Sequence, residues 1–188
     1  MKKLISVALI VCMAFTMTVF MAGCGGGEEG GSEAADGLKI TAVFATALGD
    51  QSFNDSAKIG LDQLAAEGYT TNSVECDNNA DMYEQNLRSA ADEANMVIAV
   101  GSELNMIASV AKDYPDVKFV WIDNVDDNYA DYENLLCVSY KQNEGSYLVG
   151  YVAGMMTETG VVGFIGGMDI PVINDFYVGY EQGAKAAN

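Results

Sequence analysis

Thr46-Ala47-Leu48-Gly49-Asp50-Gln51-Ser52-Phe53-Asn54-Asp55-Ser56-Ala57 is a corner between two periodicities. The run before it, Ile40-Thr41-Ala42-Val43-Phe44, is apolar and rich in β-branched residues. After it, Ala57, Leu61 and Leu64 recur at i, i+4 and i+7, the spacing of one helix face. Ser52 with Asp55 three residues on fits a capping box and sets the helix start at Phe53. The stretch therefore reads as strand, loop and helix. Free backbone N–H groups point out of such a corner, here beside the Asp50 carboxylate, the Phe53 ring and the Asn54 amide. In open α/β sheets, ligands bind where these corners lie, at the carboxyl ends of the strands. Each of the three residues also has an ordinary role: Phe53 as a core anchor, Asp50 as a turn residue, Asn54 as a solvated first-turn amide.

Downstream, strand and helix patterns alternate. Strands are expected at residues 40–45, 71–76, 96–100, 118–123, 135–140 and 161–165. Helices are expected at 53–67, 81–94, 105–113 and 144–158, with a last loop and helix over 168–187. The third and sixth strand runs are apolar throughout rather than alternating, the mark of strands covered on both faces. The fold class that follows is α/β with a doubly wound parallel sheet. The stretch from Leu148 to Met156 is apolar all round, with Gly150 and Gly154 four apart. It has about half the apolar length of a membrane span, so a buried helix with close backbone packing is expected.

The N-terminus reads as an export signal. Lys2 and Lys3 precede an uncharged apolar stretch, Leu4 to Ala22, which ends at Met21-Ala22-Gly23-Cys24. This resembles a bacterial lipobox, in which Cys24 becomes the lipid-bearing first residue; the alternative is an uncleaved membrane anchor. The Gly- and Glu-rich residues that follow, through Asp36, read as a flexible tether. Formal charge is −18, and removing residues 1–23 takes Lys2 and Lys3 but no acid, leaving 7 basic against 27 acidic residues, or −20. Such a chain does not bind nucleic-acid phosphates, nor anionic lipid by charge.

Histidine is absent, which removes the commonest metal ligand and general base. No Walker A sequence, zinc-ligand spacing, G-x-S-x-G elbow or dinucleotide fingerprint occurs; Gly163-Phe164-Ile165-Gly166-Gly167 lacks the G-x-G-x-x-G spacing. Neither a catalytic set nor a metal or cofactor site is expected. Cys76 and Cys137 fall at or near strands two and five, which a flavodoxin-like 2-1-3-4-5 order puts at opposite edges. Two free thiols follow rather than a disulfide.

Four blocks then agree with one family. Gly49-Asp50-Gln51-Ser52-Phe53-Asn54 resembles the D-x-S-F-N signature of the basic membrane protein family, the purine-nucleoside-receptor-like substrate-binding lipoproteins of ABC importers. The others are Tyr114-Pro115-Asp116-Val117-Lys118-Phe119 leading to Ile122-Asp123, then Gln142-Asn143-Glu144-Gly145-Ser146-Tyr147-Leu148-Val149-Gly150, then Val162-Gly163-Phe164-Ile165-Gly166-Gly167-Met168-Asp169-Ile170-Pro171. The resemblance implies a type I periplasmic-binding-protein fold, two α/β lobes closing on a ligand. Residues 1–23 would be the signal, 24–38 the tether, 39–158 lobe one, and 159–188 the crossover and first β-α unit of a second lobe. Family members are roughly twice this length, so an N-terminal fragment is expected, and one lobe would supply half the contacts.

The resemblance makes Phe53 the aromatic that stacks on a purine, with Asp50 and Asn54 in the same corner. Asp123 would be a polar ligand contact or a cap for the next loop. Phe44 stands where family members often carry Asp, Thr46-Ala47 where they carry Gly-Gly, and Asn105 where an Asp follows their third strand. The implied partners are a nucleoside-type small molecule, a membrane permease, and the membrane itself through the lipid, on the extracytoplasmic face, with the protein a monomer. A sensor of the same fold, a truncated product without binding activity, and a nucleoside hydrolase are the alternatives.

Overall fold

Five parallel strands and five helices make up the described part of the chain, residues 37–124 and 131–188 of a computed structural model. In chain order they are β1 (Lys39–Phe44), α1 (Phe53–Ala66), β2 (Thr70–Glu75), α2 (Ala80–Glu93), β3 (Met96–Val100), α3 (Ile107–Asp113), β4 (Lys118–Ile122), β5 (Leu135–Val138), α4 (Gln142–Met156) and α5 (Pro171–Ala187). The signal, Cys24, the tether to residue 36 and most of the acidic loop after β4 lie outside the described residues.

The sheet order is β2-β1-β3-β4-β5, as the sequence predicts for a doubly wound α/β fold. β1 is central to its half of the sheet: Val43 pairs with Val74 of β2 on one side and Ala99 of β3 on the other. Its period-2 alternation sends Ile40, Ala42 and Phe44 to one face and Val43 to the other. On the second face, Val97, Ala99, Phe119 and Trp121 pack against Leu87 of α2 and Ile107 and Val110 of α3. Leu87 and Phe119 are at most 1% exposed, and burying such a side chain contributes roughly 1.5–3 kcal/mol. Cys76 is buried beside Asn86, whose amide donates to its Sγ, and Cys137 lies on edge strand β5; both thiols are free.

The first face is only part covered. Leu61 of α1 sits on Ile40, Ala42, Phe44 and Val100, but Ile98, Val120 and Ile122 remain half-exposed, and Leu136 and Tyr140 are exposed. Full coverage of both faces, expected from the apolar runs, is thus reached on one face alone.

Three further expectations need correction. Residues 161–165 form no strand: Val161 is 74% and Ile165 98% exposed, because no neighbouring strand among the described residues offers a ladder. Helix α4 packs closely, as expected, but it is not buried. Its buried residues are Ser146, Gly150 and Gly154, a single i, i+4, i+8 seam, while Leu148, Val149, Val152 and Met155 stay exposed. Against that seam lie Gly179 and Gly183 of α5, and the Ser146 hydroxyl donates to the Phe176 carbonyl at 2.6 Å. Finally, Ser52 is the residue before α1 but makes no side-chain cap; its hydroxyl is displaced by the Asp50 carboxylate.

Candidate functional site

The β1–α1 corner is held by two carboxylates working inward. Asp50 Oδ1 accepts the N–H groups of Ser52 at 2.9 Å and Asp55 at 3.1 Å, and its Oδ2 accepts that of Asn54 at 2.9 Å. Asp55 in turn accepts the N–H groups of Gly49 at 2.7 Å and Gln51 at 2.8 Å. Five N–H groups of the corner, those of Gly49, Gln51, Ser52, Asn54 and Asp55, are therefore turned inward and satisfied within it. These bonds hold the Asp50 carboxyl below the usual carboxylate range, those from Asn54 and Ser52 being the strongest causes. They also hold Gln51 in the left-handed region at φ 52°, a conformation a non-glycine residue adopts only when its surroundings impose it.

Asn54 is not a solvated amide: it is 5% exposed. Its Nδ2 donates to Thr46 Oγ1 at 2.5 Å and to the Ala47 carbonyl at 3.1 Å. Both amide hydrogens are thereby spent. Phe53 is a core anchor in part. It packs on the Ile40, Phe44 and Leu61 cluster while remaining half-exposed.

Phe53, Asn54 and Asp50 line one side of a cavity of about 240 Å³ at the carboxyl ends of β1, β3 and β4. The turn after β3 supplies Gly101, Ser102 and Glu103, and the end of β4 supplies Asp123. Met168, Ile170 and Ile173, from the segment entering α5, close it with an apolar wall. Asp123 has φ 69°, and its N–H donates to the Val138 carbonyl at 2.8 Å, so the backbone turns sharply at the strand end. Burial, and then the charge of Glu103, push the Asp123 carboxyl up.

Four of the five expected contact residues thus meet in one cavity. Asn105 is exposed and lies outside its lining; the turn brings Glu103 there instead. Sequence reasoning passed over Glu103 because acidic residues are abundant in a chain of charge −18. A glycine directly after an apolar strand run, with an acid two residues on, was the available signal. Met168 and Ile170 fell inside a block that carried a family resemblance but no assigned role. Among the described residues no cluster of metal-ligating side chains occurs, and no helix is long and apolar enough to cross a membrane.

Residues 38–188 match the family model described as ABC transporter substrate-binding protein PnrA-like. The chain is 33% identical over 196 residues to the CD4+ T-cell-stimulating antigen of Listeria innocua, covering 96% of this chain and 53% of that protein. With the ABC transporter nucleoside-binding protein BmpA of Lactococcus lactis it shares 32% over 197 residues, 98% of this chain and 54% of that one. The chain spans about half the length of the curated relatives it matches. Among solved structures, a solute-binding protein of an ABC transporter system from Aeropyrum pernix superposes with a TM-score of 0.71 at 28% identity, over 80% of this chain and 44% of that one. A sugar transporter from Clostridium phytofermentans, at 14% identity and TM-score 0.62, shares the fold alone over 80% of this chain and 57% of its own.

Proposed function

Because the chain belongs to the PnrA-like family of ABC transporter substrate-binding proteins, we propose that it takes a nucleoside-type solute at the cavity beside Phe53 and delivers it to a membrane permease. The observation that carries this reading is the pairing of a half-exposed aromatic ring, Phe53, with the fixed amide of Asn54 in the lining of one cavity. A half-exposed Phe53 offers a face on which any heterocycle stacks. Beside it, the Asn54 amide is held in place by Thr46 and Ala47 within the lining of the same cavity. A volume of about 240 Å³ lies below the roughly 300–1,000 Å³ of sites for drug-sized ligands, which suits a base inside and a sugar at the mouth. No Lys or Arg lines the cavity, so a phosphorylated solute has no counter-charge there.

In this reading Phe53 stacks on the base, Asn54 accepts a hydrogen bond from it, and Asp123 takes a second donor. Asp50 serves by shaping the corner, since three backbone N–H groups already occupy it. The work is binding, by closure of lobes around the solute, and no bond is made or broken. Cys24 carries the lipid that holds the mature chain at the outer face of the membrane. Saturation-transfer NMR against a panel of nucleosides, free bases and sugars tests the ligand class, because it reads complexes weakened to the millimolar range. Transfer confined to nucleosides and lost in Phe53→Ser supports the proposal; transfer to sugars alone overturns it.

A further inference from the structure

We propose that Trp121 is a positioning residue for solute binding: its indole N–H holds the Gly101 carbonyl, and through it the turn that carries Ser102 and Glu103 into the cavity wall. This rests on the reading of the cavity as a nucleoside site. Trp121 is itself 4% exposed, packs in the core on the second face of the sheet, and lies outside the cavity lining. On β4 it pairs with Ala99 of β3, just before that strand ends at Gly101. From there Nε1 donates to the Gly101 carbonyl at 3.0 Å.

Distances decide how much of the turn depends on this bond. The Gly101 N–H reaches the Ile122 carbonyl at 3.4 Å, the Leu104 N–H reaches the Gly101 carbonyl at 3.4 Å, and Asn124 Nδ2 reaches the Ser102 carbonyl at 3.4 Å. Bonds of this kind cluster near about 2.9–3.0 Å, so of the four only the indole's has ordinary length. Gly101 is buried and sits at φ 121°, a conformation that side-chain-bearing residues rarely adopt. Without the indole its carbonyl would keep only the long bond from Leu104, and a buried acceptor left short of a donor drives the peptide to turn. The Glu103 side chain folds back over this same glycine: a Cβ built on Gly101 would lie 2.8 Å from its Oε2. A rotation of the Gly101 peptide therefore displaces that carboxylate and Ser102 together. The charge of Glu103 in turn acts on Asp123 in the same lining, so one misplaced turn disturbs two walls of the cavity.

Trp121 is the single tryptophan of the chain, so growth on a tryptophan analogue alters this residue alone. Benzothienylalanine keeps the bicyclic shape and puts sulfur where the N–H was; fluorotryptophan keeps the N–H. The test titrates the full chain in all three forms with inosine, adenosine and uridine by saturation-transfer NMR, with circular dichroism to check folding. The fluorotryptophan chain is expected to bind like the tryptophan chain, and the folded benzothienyl chain about fivefold more weakly, the worth of one neutral hydrogen bond. A purely structural indole would lower the melting temperature and leave the affinity of the folded protein alone. Affinities of the two analogue chains within about twofold of each other therefore overturn the proposal while leaving the nucleoside reading intact. Where the benzothienyl chain does not fold, the indole N–H resonance of the unaltered chain decides: it is expected to shift on titration, and a resonance unmoved at saturation overturns the proposal. Binding of none of the three nucleosides by the tryptophan chain removes both readings.

Discussion

Asp50 Oδ2 accepts the backbone N–H of Asn54 at 2.9 Å, and this bond joins the helix start to the cavity wall. It fills the role that a capping serine would have, and it does so from four residues upstream. The loop between is thereby folded into a fixed shape, with Asn54 held so that its amide reaches Thr46. Structure and site in this corner rest on the same carboxylate.

Replacing Asp50 by Ala should lower the melting temperature and, through the displaced Asn54, weaken ligand binding. The pH dependence has a definite sign. The folded carboxyl lies below its ordinary value of 3.8, so its stabilisation is complete above that value and is lost as pH falls through the lower folded one. The gap in melting temperature between wild type and Asp50→Asn should hold steady from pH 7 down to about pH 4.5 and close below it. A gap that widens in acid refutes the assignment.

Asp123 should behave in the opposite way. Its folded carboxyl is pushed up by burial and by Glu103, so the penalty for ionising it is absent below the ordinary value of 3.8 and fully present above the folded one. Asn keeps the shape and tolerates the φ of 69°. Asp123→Asn should therefore raise the melting temperature at pH 7, with the gain fading toward pH 3.5 in the same thermal scans.

Phe53→Leu separates the two duties of that ring. Leucine keeps most of the apolar contact with Leu61 and Phe44, so thermal stability should change little. Loss of a base-stacking face costs roughly 1–3 kcal/mol, so affinity for a nucleoside should drop about tenfold or more. Calorimetric melting combined with ligand titration by NMR reads both numbers from one sample.

Gly183→Ala should drive α5 off α4. A Cβ there collides with the Tyr147 carbonyl oxygen, a backbone atom that cannot rotate away, and its counterpart Gly150 faces the Tyr180 carbonyl in the same manner. Overpacking of this kind costs about 1–3 kcal/mol, and it should appear as faster hydrogen exchange confined to the two helices. Unchanged exchange along both helices would show that the glycine seam is not close-packed in solution.

Much of the fold was legible in the chain. The switch from a strand run to i, i+4 spacing at Phe53 located both β1 and α1, because burial of a face imposes its period on the residues that supply it. The cap was misjudged for a physical reason. Ser52 and Asp50 both suit the role, and the choice between them depends on how the loop turns through Gly49 and Gln51, which spacing does not record. A strand at 161–165 looked as convincing as β3, since an apolar run says that a segment can be buried and not what it pairs with.

What the sequence determined by itself is the parallel α/β order, the corner at residues 46–57 and the absence of histidine chemistry, all local or compositional properties. What the tertiary structure alone decided is which carboxylates are spent and which are free. Asp50, Glu103 and Asp123 are the same chemical group in the chain. They differ because folding brings three backbone N–H groups to the first and, among the described residues, none to the other two, which line the same cavity.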